Sequence, residues 1–90
     1  MSETRKALNT LTQTQLNARD ERLDKANTLD DRGMILSDFG IWLDGALDVA
    51  KALGVSEDDS RGLRASKSAN DAELNLLEQK VVLAQALADN

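Results

Sequence analysis

The stretch from Met34 to Leu53, MILSDFGIWLDGALDVAKAL, constrains the fold more than any other part of the chain. Wound at about 100° per residue, it stacks Leu36, Phe39, Leu43, Ala46, Leu47 and Ala50 on one side of a helix, and Ile35, Trp42, Val49 and Leu53 widen that side. Both aromatic residues of the chain, Phe39 and Trp42, fall on this face, while Asp38, Asp44, Asp48 and Lys51 fall outside it. A face of that breadth predicts a helix pressed into a core. Met34 and Ile41 point the other way, one heptad apart and beside Gly45, which marks them as an exposed pair and a candidate contact site. Gly40 borders the apolar face, where its missing side chain would admit a close neighbour. Gly45 lies opposite, where the pattern offers no packing reason for it.

The rest of the chain also reads as helix. Its 90 residues contain no proline, and the apolar set is mainly Leu and Ala, which favours helices over strands. Residues 3–32 read as one helix with a diluted stripe of Leu8, Leu11, Ala18, Leu23, Ala26 and Leu29, interrupted by Gln15, Arg19 and Arg22. Such polar residues either fix register between helices or lay long stems along a half-exposed face. Gly33 in the left-handed conformation is expected to close this helix and reverse the chain. Gly54 closes the next one. Ser56 with Asp59 then resembles a capping box for a short helix, about 57–66, and Ser66-Lys67-Ser68-Ala69-Asn70 reads as a polar linker.

Asn70 with Glu73 would cap a last helix over 71–88. The expected fold is all-α: one domain, 1–90, with a long antiparallel helical hairpin (about 3–32 and 34–53), a short helix and a C-terminal helix. On that last helix Leu74, Leu77, Val81, Ala84 and Ala88 form one apolar line and Leu76, Leu83 and Leu87 a second. One neighbour cannot cover both lines, so the chain is expected to form a homo-oligomer through residues 74–88.

Charge bounds the function. The formal net charge is −5, and residues 33–60 set Lys51 against Asp38, Asp44, Asp48, Glu57, Asp58 and Asp59, so the whole excess lies there while both flanks balance. A field of that sign repels nucleic acid and membrane surfaces and suits a basic partner; it also serves plain solubility. Glu57, Asp58 and Asp59 have a structural role as well, since first-turn carboxylates complement a helix N-terminus. No apolar run approaches the length of a membrane span or a signal-peptide core, so a cytoplasmic protein without membrane contact is expected.

The segment Ala50-Lys51-Ala52-Leu53-Gly54-Val55-Ser56, running on to Leu63, resembles the turn of a helix-turn-helix DNA-binding unit. Ala50, Gly54, Val55, Ser56 and Leu63 match that family's small, glycine, apolar, hydroxyl and buried positions, whereas Ser60 stands where an apolar residue belongs. The resemblance implies a DNA-binding regulator, with Glu57-Asp58-Asp59 opening its recognition helix and Arg61, Arg64 and Lys67 following the base-reading turn.

Chemistry finds little to work with. There is no His, Cys or Tyr, and no Gly-rich phosphate loop. The pairs Asp44/Asp48 and Asp20/Asp24 lie one helical turn apart but lack both a histidine and a calcium-loop pattern. No catalytic residue, cofactor or metal ligand is assigned, and an enzyme is not expected. The expected function is protein–protein interaction, as a small acidic regulator, inhibitor or assembly component. The composition is analogous to that of phage accessory inhibitors. The partner-binding residues would be Asp38, Asp44, Asp48, Met34, Ile41, Glu57, Asp58 and Asp59.

Overall fold

A computed structural model describes residues 2–89. Over these residues the chain forms α1 (Glu3–Lys25), α2 (Leu29–Ala52) and α3 (Arg61–Ala88), with no strand. The all-α bundle is as expected, and α1 and α2 form the hairpin. The helix boundaries differ from the sequence reading, each for an identifiable reason.

The first helix stops at Lys25, not residue 32. Ala26 is extended and Thr28, with φ −130° and ψ 159°, caps the next helix by accepting a hydrogen bond from the Asp31 N–H at 3.0 Å. Asp30 and Asp31 therefore open α2, where carboxylates suit the positive helix end. The Arg32 guanidinium reaches back to the Leu23 carbonyl, at 3.2 Å, and satisfies an end group of α1. Gly33 lies inside α2, where a Cβ would make ordinary van der Waals contact with Leu77 Cδ2, at 3.7 Å.

Gly54 does close α2. Its φ of +73° is the left-handed conformation, and the bonds from Val55 N–H to the Ala50 carbonyl (2.9 Å) and Gly54 N–H to the Lys51 carbonyl (3.1 Å) make a Schellman motif. Ser56 caps the turn that follows, accepting from the Asp59 N–H at 3.1 Å.

Residues 57–60 are turn, and the short helix, the linker and the last helix are one 28-residue helix, α3. The segment Ser66–Asn70 is helical because its polar groups have partners on other helices. Lys67 Nζ lies 3.3 Å from Asp44 on α2 and 3.0 Å from Asp71. Asn70 is no cap: it is buried at mid-helix, where it accepts from Arg19 Nη1 and donates from Nδ2 to the Leu36 carbonyl, both at 2.8 Å. Gly40 provides the room, since a Cβ there would meet Asn70 Nδ2 at 3.4 Å.

This network ties all three helices. The buried Arg19 guanidinium also bonds Asp20 at 2.8 Å, reaches Glu73 at 3.5 Å and lies 5.3 Å from the Phe39 ring centroid. One apolar cluster, Leu23, Ile35, Leu36 and Leu77, lies towards the α1–α2 turn. The other, Phe39, Leu43, Ala50 and Leu63, extends towards the α2–α3 turn and receives Leu8, Leu16, Trp42 and Val55 at its margin.

Three apolar expectations fail. On α1 the buried line runs through Thr12, Arg19 and Leu23 with Leu8 and Leu16 half-buried, which turns Leu11 and Ala18 outward. Thr12 is tolerated inside because its hydroxyl bonds its own helix at the Leu8 carbonyl. On α2 Val49 is exposed, since it lies at the edge of the apolar face where nothing covers it. Leu53 is 77% exposed because it is the residue at which α2 ends.

Asn70→Ala would leave the Arg19 guanidinium buried without its best acceptor, so we expect a loss of about 2–4 kcal/mol. Thermal circular dichroism should show a midpoint lower by roughly 10 °C or more. An unchanged midpoint would mean that water replaces the amide at no cost. Leu77→Asp should be worse and should abolish the cooperative melt, because it places an unpaired charge in the core.

Candidate protein-docking surfaces

Two surfaces are left open by this packing. The first is the outer side of α2. Met34 and Ile41 are 65% and 69% exposed, and Val49, further along the helix, is exposed too. Seven residues at 100° fall about 20° short of two turns, so Met34 and Ile41 share one edge about 10 Å apart, while Val49, eight residues beyond Ile41, lies about 80° further round towards the core face. Gly45 lies between Ile41 and Val49, with nothing within 4 Å of the position its Cβ would take. The helix is therefore bare backbone there.

Carboxylates stand on both sides of the Met34–Ile41 pair. Asp38 lies on the flank towards α1, 3.6 Å from Arg22 Nη2, and Asp44 on the flank towards α3, facing Lys67. Asp38, Asp44 and Asp48 are all exposed, with Asp38 on one side of the Met34–Ile41 pair and Asp44 and Asp48 on the other. The cause is rotation, because six residues separate Asp38 from Asp44 and carry them about 120° apart.

The acidic residues are also less free than their number suggests. Asp58 pairs with Arg61 at 2.6 Å. Asp59 is half-buried and holds the start of α1, accepting from Ser2 Oγ at 2.8 Å and Arg5 Nε at 3.3 Å. Its carboxylate belongs to the fold. Arg64 donates to the Glu57 carbonyl. Among the described residues, only Asp48 and Glu57 of the six carboxylates have no ion-pair partner within 4 Å, and both border one groove of about 390 Å³ with Val55 and Arg64. The Lys67 ammonium is held above its ordinary pKa, first by its hydrogen bond to Asp71; partial desolvation opposes this, and the hydrogen bond and charge of Asp44 add to the rise. It therefore stays charged at neutral pH and screens the Asp44 side of α2.

The second surface is the end of α3. Leu74 and Leu77 pack into the bundle, but Val82, Leu83 and Leu87 are exposed, as is Leu76. A groove of about 350 Å³, lined by Leu29, Gly33, Leu77, Val81 and Val82, opens at the base of this overhang.

Val49 was missed as a surface residue because, at the margin of a helical face, sequence alone does not say which neighbour is present. The helix-turn-helix resemblance meets a different geometry. The Gly54 turn and buried Leu63 are present, but the turn leads into a helix that packs side by side with α2 from Leu63 to Leu77. Among the described residues no group of three or more His, Cys, Asp or Glu side chains could hold a metal ion, and no helix is long and apolar enough to cross a membrane.

No protein-family model matches the chain, and no curated protein or solved structure matches it either.

Ile41→Ser should leave stability within about 0.5 kcal/mol of the parent, as expected for an exposed position with no specific contact. A markedly lower melting midpoint would show that Ile41 packs within the fold.

Proposed function

We propose that the chain is a non-catalytic interaction protein that associates with itself through the end of α3 and offers the outer face of α2 to a basic protein partner. The observation that carries the docking role is the exposed pair Met34 and Ile41 on a rigid helix, with Asp38 and the exposed Val49 on one side and Asp44 and Asp48 on the other. Apolar contact supplies affinity, and flanking carboxylates supply orientation and association rate. A helix with an apolar stripe between Lys or Arg rows has the complementary chemistry, docking in the manner of helix-in-groove recognition. A role as a regulator, inhibitor or assembly component of the cytoplasm fits such a module.

Asp44→Lys combined with Asp48→Lys should leave the fold intact, because the Asp44–Lys67 pair is exposed and such pairs contribute little. Used as baits in a host lysate, the parent should capture a protein that both this variant and Ile41→Ser lose. The charge variant should then slow association with that protein strongly at low salt, with the difference fading as salt rises. Equal association rates across the salt series would reduce the acidic face to a solubility feature. A salt-sensitive shift of random duplex DNA by the parent protein would favour the DNA-binding reading instead.

A further inference from the structure

We infer that the last two turns of α3 form an antiparallel, tail-to-tail contact with a second copy of this chain, so that the dimer is a rod with its two α2–α3 turns at opposite ends. The inference rests on the self-association part of the proposed function and specifies its geometry.

The first argument is area. A compact chain of 9.8 kDa exposes about 5,200 Å² by the surface-to-mass scaling of folded monomers, yet this one exposes 6237 Å². Its radius of gyration is 15.6 Å, where about 12 Å is usual for 90 residues. The excess of roughly 1,000 Å² comes with the elongated shape, 55 × 22 × 18 Å, and the overhang of α3, where Val82, Leu83 and Leu87 are uncovered, is part of it.

The second argument is the composition of the overhang. Residues 81–88, Val-Val-Leu-Ala-Gln-Ala-Leu-Ala, carry no charge, and all but Val81 are exposed. A solvated helix end has no use for Val82, Leu83 and Leu87 together. Along the side that continues the buried line of Leu77, the overhang presents Ala84 with Leu83 and Leu87 beside it. A small residue at that point lets two helices cross closely.

The third argument is charge, and it selects a second copy and its orientation. The excess of −5 lies in residues 38–59, along α2 and at the α2–α3 turn, away from the tail. Two like-charged chains meet with least repulsion where neither carries charge. Antiparallel tails also hold the acidic turns as far apart as the rod allows, whereas parallel tails would lay the two bundles alongside one another. A foreign basic partner would be drawn to the acidic surface, not to the neutral tail. With each chain 55 Å long and an overlap of eight or nine helical residues, the rod would span about 95 Å. It would present two copies of the α2 face, a geometry suited to bivalent attachment.

Sedimentation equilibrium at tens of micromolar should give twice the 9.8 kDa chain mass for the parent. Leu83→Asp with Leu87→Asp should give the single-chain mass with an unchanged melt, since both side chains are exposed in the monomer. The chain has no cysteine, so Ala84→Cys, near the twofold axis, should form an interchain disulfide under mild oxidation, and Ala88→Cys should not. A parent that sediments as a single chain would overturn both the self-association and the antiparallel contact. A dimer that survives the double substitution, or that cross-links at residue 88, would overturn the tail-to-tail geometry alone.

Discussion

The Arg19 guanidinium is where the three helices meet, and the packing of α1 depends on it. Few forces fix α1 against the other two helices: of its three buried residues only Leu23 is apolar, with Leu8 and Leu16 half-buried. A desolvated guanidinium is tolerated because every direction has a partner: Asn70 at 2.8 Å, Asp20 at 2.8 Å, Glu73 at 3.5 Å and the face of Phe39. Asn70 then passes the constraint to α2 through the Leu36 carbonyl. A slip of α1 by one residue along α3 would break the Arg19–Asn70 bond and leave a guanidinium N–H and the Asn70 oxygen buried without their partner, although Asp20 moves with Arg19. A purely apolar seam of leucines would impose no comparable penalty on such a slip.

The two apolar clusters divide at this network. Both are built chiefly from α2 and α3, with α1 adding Leu23 to one and the half-buried Leu8 and Leu16 to the other. The α2–α3 pair is therefore the stable frame, and α1 is the element least held by apolar burial, which makes it the first to exchange amide protons. Neither docking surface involves the buried side of α1. The outer face of α2 stands on the most deeply packed helix, opposite Leu43 and Phe39, so a partner would meet a rigid surface with little ordering cost.

Net charge and available charge are different quantities here. The formal excess is concentrated in residues 33–60, but tertiary structure places a guanidinium or ammonium beside Asp38, Asp44, Asp58 and Asp59. These cations come from Arg5, Arg22, Arg61 and Lys67, all outside that segment. The long-range field stays negative, because pairing does not alter the net charge, while the carboxylates without an ion-pair partner, among the described residues of that segment, are Asp48 and Glu57. In the proposed role, a basic partner would be attracted from a distance by the net field and held at short range mainly by Met34 and Ile41.

What the sequence determined by itself was periodic. The all-helical class, the buried face of α2 centred on Leu36, Phe39, Leu43 and Ala50, the outward direction of Met34 and Ile41, and the Gly54 stop all follow from spacing and backbone conformation, which are local properties. The tertiary structure decided everything in which a polar residue acts on a distant one. Asn70, by propensity a cap, became a core residue because Arg19 and the Leu36 carbonyl met it. The segment Ser66–Asn70 became helix because Asp44 and Arg19 lay opposite its Lys67 and Asn70. Gly33, expected to close a helix, stayed helical because Thr28 had already started α2. Val49 fell outside the core because no neighbour reached its edge of the helix. In each case local preference amounts to a few tenths of a kcal/mol to about 1 kcal/mol per residue, and a buried hydrogen bond to a charged group is worth more. For Lys67 and Asn70 the contacts that settled the position lay 23 to 51 residues away in the chain, beyond what periodicity can carry.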